Sequence, residues 1–302
     1  MDRLKNAILI VNAGSNHGAQ QYVAAKSMLV ALGLREAYAW QMDRTADIQA
    51  KVSEAISEGV KLIIVGGGDG TLNSVVNLFV GTQAVLGVLP LGTGNQFVRD
   101  LGIEPALEPA CKVLMEGKVS HVDLGTAGNG FFLNIATVGL TTLITEGLDE
   151  SEKRRLGRFA YTYAIARAML LVQPFRVTLT MPEGRCSFRA LQVVVGNGRF
   201  HAGPFPVGTE ATIVDGKLTA YVVASRSRWG LVWCALRLPG GHQDTLNEVH
   251  TFTTTDILLE TKKPIRITVD GDIKYKTPMH FGIARRALRV MTPQAFAQET
   301  EG

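Results

Sequence analysis

The chain has 302 residues, 46% of them hydrophobic and 19% charged, with a formal net charge of +4. That length and balance suit two domains with buried cores rather than a disordered chain, and so mild a positive charge gives no reason to expect a nucleic-acid partner. Three scattered cysteines, Cys111, Cys186 and Cys234, form no Cys-x-x-Cys, which argues against a disulfide framework or a zinc site and for a reducing cytoplasm.

The first apolar run, Ala7–Val11, is too short for a signal segment and reads as a buried strand. Up to residue 122, strands at Ala7–Val11, Glu36–Trp40, Lys61–Val65 and Val85–Leu89 alternate with helical stretches at 18–33, 46–58, 71–80 and 95–101. This spacing predicts an α/β domain with a mostly parallel sheet and helices on both faces. From residue 123 the pattern turns to strands in succession: Asp123–Thr126, Phe131–Thr137, Phe175–Met181, Cys186–Val195, Leu218–Val223, Glu248–Thr254, Ile257–Thr261 and Ile265–Val269. Such a run predicts an antiparallel, two-sheet β-sandwich. Two helices interrupt it, Leu156–Val172 and Arg228–Leu238. The first is amphipathic, its apolar run Ala160–Val172 is interrupted by Arg167, and no apolar run reaches the roughly 20 residues that span a bilayer. The join near 122 has no Pro/Ser linker, so the expected domains, 1–122 and 123–285, pack with a cleft between them.

Two glycine-rich turns carry the chemistry. The first, Val65-Gly-Gly-Gly-Asp-Gly-Thr71, joins a strand to a helix, where backbone can approach an anion without a Cβ in the way and first-turn N–H groups lack partners. Asp69 within it would repel a bare phosphate and makes better sense facing Mg²⁺ or a hydroxyl. The second, Leu91-Gly-Thr-Gly-Asn95, follows the strand Val85–Pro90, and two such turns at the ends of parallel strands would share one cleft. Neither is a P-loop or completes Gly-x-Gly-x-x-Gly, and the six histidines and the serines show no hydrolase spacing.

The pair Gly67-Gly-Asp-Gly-Thr-Leu-Asn73 and Leu89-Pro-Leu-Gly-Thr-Gly-Asn95 resembles the diacylglycerol kinase catalytic-domain family, which includes bacterial lipid kinases and sphingosine kinases. The likeness continues in order through Asn12-Ala-Gly-Ser15, Phe132–Gly139, Gly196-Asn-Gly198, Asp215-Gly216 and Asp270-Gly-Asp272, and so covers essentially the whole chain. It implies an ATP-dependent lipid kinase with Mg²⁺, cytoplasmic with a peripheral contact at an anionic membrane, in which residues 286–302 return to complete the first domain. Nucleotide binding would fall to Asn12, Gly67, Gly68, Asp69, Gly70, Thr71, Leu72, Asn73, Thr93 and Asn95. Asp272 would be the proton acceptor, with Asp270 beside it, although the family usually has Glu at that position. Asp215, with the carbonyls of Thr212 and Lys217, resembles a structural Mg²⁺ site; the same Asp-Gly is equally an ordinary hairpin turn.

Further features keep two readings each. Lys153, Arg154, Arg155 and Arg158 suit anionic headgroups or a solvated helix start, and the stripe Trp229, Val232, Trp233, Leu236 suits core packing or membrane. Gln96 stands where the family often has aspartate, and Trp40 where many relatives have a small hydroxyl residue. The rivals to a lipid kinase are an NAD kinase-like enzyme, which shares the Gly-Gly-Asp-Gly turn, and a lipid-binding regulator of the same fold without turnover.

Overall fold

The computed structural model describes residues 2–14, 18–35, 38–147, 160–198, 200–202, 205–206, 211–224 and 249–296. After a short helix α1 (Asp2–Lys5), the chain alternates β1 (Ala7–Asn12), α2 (Gly18–Ala31), β2 (Ala39–Met42), α3 (Thr45–Ser57), β3 (Leu62–Gly67), α4 (Asp69–Phe79) and β4 (Val85–Pro90). The strands pair in parallel in the order β2-β1-β3-β4. β3 and β4 are buried at every position, as continuous apolar runs require when helices cover both faces of a sheet. Parallel register brings Asn12, Gly67 and Pro90 to one edge, so both glycine turns open on the same side.

Two helices follow, α5 (Gln96–Asp100) and α6 (Leu107–Glu116). The sequence reading had no helix at α6. Pro105 and Pro109 there look like breakers, but Pro109 falls in the first helical turn, where a missing N–H costs nothing, and Ala110, Cys111 and Leu114 form its buried face.

The second half consists of β5 (Lys118–Ala127), β6 (Gly130–Phe132), β7 (Ile135–Gly139), α7 (Leu140–Glu146), α8 (Ala160–Leu171), β8 (Phe175–Met181), β9 (Gly184–Ala190), β10 (Gln192–Gly196), β11 (Phe200–Ala202), β12 (Phe205–Pro206), β13 (Leu218–Val223), β14 (Val249–Thr254), β15 (Asp256–Thr261), β16 (Arg266–Val269), β17 (Asp272–Lys276) and β18 (Met279–Thr292). One sheet runs β14-β13-β10-β7-β16-β17, and it faces a layer formed by β18-β15-β8-β9 with β5 and β6. Between them lies a core of Phe132, Val138, Val177, Val193, Ile267 and Phe281. The expected strands at 131–137 and 186–195 each divide in two, because each chain segment passes from one sheet to the other, at 133–134 and at Leu191.

β18 ties the halves together. It pairs with β15 at its start, with β5 along its length and in parallel with β4 at Val290, so a single ten-stranded sheet runs through both halves. β5 likewise continues unbroken across residue 122. Register slips between Ala284 and Leu288, where Arg286 adopts φ 53°. The buried Asp123 holds that slip, accepting the Arg286 N–H at 2.6 Å and the Gly216 N–H at 2.7 Å. No helix among the described residues is long and apolar enough to cross a membrane.

Candidate active site

The first glycine turn caps α4 with Gly68 in an extended conformation, which brings no side chain to the helix N-terminus. The Thr71 and Leu72 N–H groups are satisfied by the Gly68 carbonyl at 3.0 and 3.1 Å, leaving the start of the helix to face a ligand. Gly67 is required by contact, since a Cβ there would lie 2.5 Å from the Thr71 hydroxyl. That hydroxyl accepts from Asn12 Nδ2 at 2.9 Å, so the end of β1 is fastened to the turn. Leu72 points into the core, so its side chain takes no part in binding an anion.

The second turn is closed by Asn95, held at φ 49°, where Asn is tolerated better than most residues. Its amide donates to the Gly92 carbonyl at 2.7 Å and accepts the Gly92 N–H at 3.2 Å, so this side chain shapes the loop, while Thr93 is exposed. The two turns touch backbone to backbone, because a Cβ on Gly92 would lie 2.4 Å from the Gly68 Cα. Asp69 Oδ1 reaches across to accept the Phe97 N–H at 3.2 Å.

The opposite wall comes from the turn between β16 and β17. Asp270 adopts φ 45° and Gly271 φ 91°, which swings the Asp270 carboxylate inward to the break between β6 and β7. There it accepts N–H groups from Leu133 at 2.8 Å and from Asn134 and Ile135 at 2.9 Å each. Burial pushes the Asp270 carboxyl up to about 6, against the pull of those three N–H donors and of nearby Lys274. With its amide oriented to satisfy both neighbours, Asn73 of α4 donates to Asp270 Oδ2 at 2.9 Å and accepts from Lys274 Nζ at 2.9 Å. Asn73 therefore links the glycine-turn helix to the far wall.

Asp69 and Asp270 line one cavity of about 220 Å³, with Gln96, Asn134 and the threonines 137, 141, 145 and 268. Asn134 Oδ1 and Thr137 Oγ1 are buried with no hydrogen-bond partner among the described residues. Asp272 is outside that lining; its side chain is 66% exposed and lies 3.8 Å from Lys274 Nζ. Asp215 is a separate locus, where its two oxygens accept the N–H groups of Thr212 at 3.0 Å and Lys217 at 2.8 Å. Trp40 packs under Lys51, whose ammonium sits 4.4 Å from the ring centre. Ser15, the cations at 153, 154, 155 and 158 and the helix expected at 228–238 lie outside the described residues.

Sequence reasoning passed over Lys274, Asn134 and Asp123. Lys274 stands two places after Asp272 on a strand, on the same side of the ladder by period-two alternation, and that spacing could have drawn attention to it. Asp123 is a lone carboxylate in the apolar run Val122–Leu124, and an acid buried in such a run implies donors waiting for it.

Residues 6–127 match the family described as Diacylglycerol kinase catalytic domain, and residues 134–292 match the YegS C-terminal NAD kinase beta sandwich-like domain. A Pseudomonas putida protein named "Probable lipid kinase YegS-like" is 35% identical over 192 residues, 61% of this chain; the match spans 64% of that relative, less than two thirds of its length. A Pseudomonas aeruginosa protein of the same name is 28% identical over 294 residues, 96% of this chain and 95% of that protein. Among solved structures, a diacylglycerol kinase from Bacillus anthracis shares the fold with a TM-score of 0.76 at 24% identity, over 97% of this chain and 99% of that one. Another chain from the same organism reaches 0.81 at 25% identity, over 98% and 97%. Matched across both halves and over the length of these structures, the chain belongs to the diacylglycerol kinase catalytic-domain family, with the YegS-type β-sandwich as its C-terminal half.

Proposed function

We propose that the protein is an ATP-dependent lipid kinase that moves the γ-phosphoryl group to the hydroxyl of diacylglycerol or a related lipid. The observation that carries this reading is the junction cavity, which has Asp69 of the glycine turn on one wall and Asp270 of the Asp-Gly-Asp turn on the other. The touching turns at Gly68 and Gly92 form the phosphate cradle, with Asn12 and Thr71 at its rim. The partnerless Asn134 and Thr137 atoms and the threonine hydroxyls suit a hydroxyl-bearing headgroup better than an apolar one.

In the reaction, the lipid hydroxyl oxygen bonds to the γ-phosphorus as the bond to the bridging oxygen breaks, ADP leaves, and the hydroxyl proton passes to the Asp272 carboxylate. Asp272 is free to approach because Asp270 takes the anchoring part, its oxygens committed to three backbone amides. The donor set at Asp69 fits Mg²⁺, an ion that binds through one carboxylate with its waters and substrate phosphates. When bound, it would neutralise phosphate charge. By the family resemblance, the Asp215 carboxylate, which accepts the Thr212 and Lys217 amides, would hold a structural Mg²⁺ together with the Thr212 and Lys217 carbonyls. The protein would work in the cytoplasm, with the cations at 153–158 against the anionic membrane face.

A second reading, an NAD kinase-like enzyme, draws on the name of the matched C-terminal domain. Labelled ATP supplied with diacylglycerol, with NAD, or with a lipid extract separates the two, and label in no product would favour a regulator without turnover. Asp69→Asn keeps the shape and removes the charge; transfer to lipid should fall by about 10²–10³ in a folded protein. Undiminished transfer by that variant, or label appearing on NAD alone, would overturn the proposal.

A further inference from the structure

α7 separates two cavities. Thr141 and Thr145 face the junction cavity, whereas Thr142, Leu143 and Glu146 line a larger one of about 540 Å³ on the other side, a size within the range of about 300–1,000 Å³ usual for ligand sites. Its floor is apolar, formed by Leu143, Val172, Phe175 and Ile265. Its rim is basic: Arg176, Lys262, Lys263 and Arg266 are all exposed around it. Among the described residues one carboxylate lines it, Glu146, and that is paired with Arg266 at 2.9 Å. Beside the rim, the end of α8 presents Leu170 at 70% and Leu171 at 54% exposure, among the few large apolar side chains left in solvent by the described residues.

An apolar floor, four cations and two exposed leucines on one face match one chemistry, an anionic amphiphile. Nucleic acid would want several aromatic platforms on the rim, and among the described lining residues the single aromatic, Phe175, belongs to the floor. An uncharged apolar ligand would leave the cations without purpose. We infer that this face docks on a bilayer containing anionic phospholipid, with phosphate headgroups between Lys262, Lys263, Arg176 and Arg266 and the two leucines at the acyl boundary. Because α7 is shared, a bilayer held on this face lies one helix away from the junction cavity, and the purpose of the contact, though not the contact itself, rests on the lipid-kinase reading.

Co-sedimentation of the full chain with vesicles of phosphatidylcholine alone, or mixed with phosphatidylglycerol, tests this. The wild type should pellet with the mixed vesicles at low salt and release at high salt. Lys262→Glu/Lys263→Glu should weaken that binding about tenfold or more, and Leu171→Gln by about tenfold. Phosphorylation of a short-chain, water-soluble diacylglycerol by the double variant should match wild type, which separates loss of docking from loss of folding. Failure of phosphorylation in wild type would sink the kinase reading and leave the docking result standing. Unchanged vesicle binding in the double variant, abolition by Lys153→Glu/Arg154→Glu instead, equal binding to neutral vesicles, or displacement by soluble glycerol phosphate would each overturn the docking surface.

Discussion

Replacing Gly92 with alanine tests whether the two glycine turns act as one cradle. Gly92 is not among the positive-φ glycines, so alanine meets no backbone strain and the effect is steric. The new Cβ would sit 2.4 Å from the Gly68 Cα, 3.1 Å from the Gly68 nitrogen and 3.1 Å from Asn95 Oδ1. Carbon pairs rest at about 3.5–4.0 Å, so the turns must separate by about 1 Å, and the obstacle is backbone with no rotamer to yield. Overpacking of this kind costs about 1–3 kcal/mol, and a displacement of about 1 Å at a reacting centre can cost about 10²-fold in rate. The assay is kcat/KM for ATP with a short-chain diacylglycerol, alongside a thermal scan; kcat/KM should fall about 10²-fold and Tm by several degrees. For the scan, Gly70→Ala is the control: nothing lies within 4 Å of its Cβ, and alanine in the first turn of α4 should leave Tm equal or higher. Wild-type kcat/KM and Tm in Gly92→Ala would refute the argument that contact between the turns builds the site.

Asp270, pushed from 3.8 to about 6, binds its proton more tightly folded than unfolded. Its contribution to stability is therefore full below about pH 4 and is lost as pH rises through about 6, a difference of roughly 3 kcal/mol at about 1.4 kcal/mol per pKa unit. Urea denaturation across that window should show the slope in wild type and a flatter one in Asp270→Asn; parallel curves would contradict it. Lys274→Met removes the cation shared by Asn73 and the Asp-Gly-Asp turn and should lower kcat about tenfold with little change in KM for ATP, with partial rescue by Lys274→Arg; an effect confined to Tm would mark the contact as structural only. Asp272→Asn should cost about 10²–10⁴ in rate without loss of Tm. Asp270→Asn should lower Tm, since its new NH₂ group would meet N–H donors; if Asp270→Asn is stable but inactive while Asp272→Asn stays active, the roles must be exchanged.

Local pattern was enough for much of this protein. Strands at 175–181 and 218–223 have the bounds their apolar, β-branched runs suggest, and the alternation up to residue 101 is the parallel sheet with its helices, because burial on both faces leaves a period that a single sequence carries. The glycine turns were legible for the same reason, since chain order alone puts each at the end of a buried strand. Where a helix begins with two prolines nearby, as at α6, local preference misleads because the first turn tolerates what the interior forbids.

What pairs with what at long range was decided by the tertiary structure. The breaks at 133–134 and Leu191, where strands change sheets, carry no turn residues strong enough to announce them; a break exists at 133–134 because Asp270, 137 residues from Leu133, accepts the amides there. The identity of the buried acid in Asp-Gly-Asp is of the same kind. Both carboxylates belong to one tight turn, and only the opposing amides and Lys274 make Asp270 the one drawn inward and Asp272 the one left in solvent. The single sheet through both halves depends on β18, whose 14 residues form one strand because β5, β4 and β15 stand ready to hydrogen-bond it. Sequence determines the local conformations a segment can take; a strand edge or a buried carboxylate gets its partner from the packing of distant segments, which no local window contains.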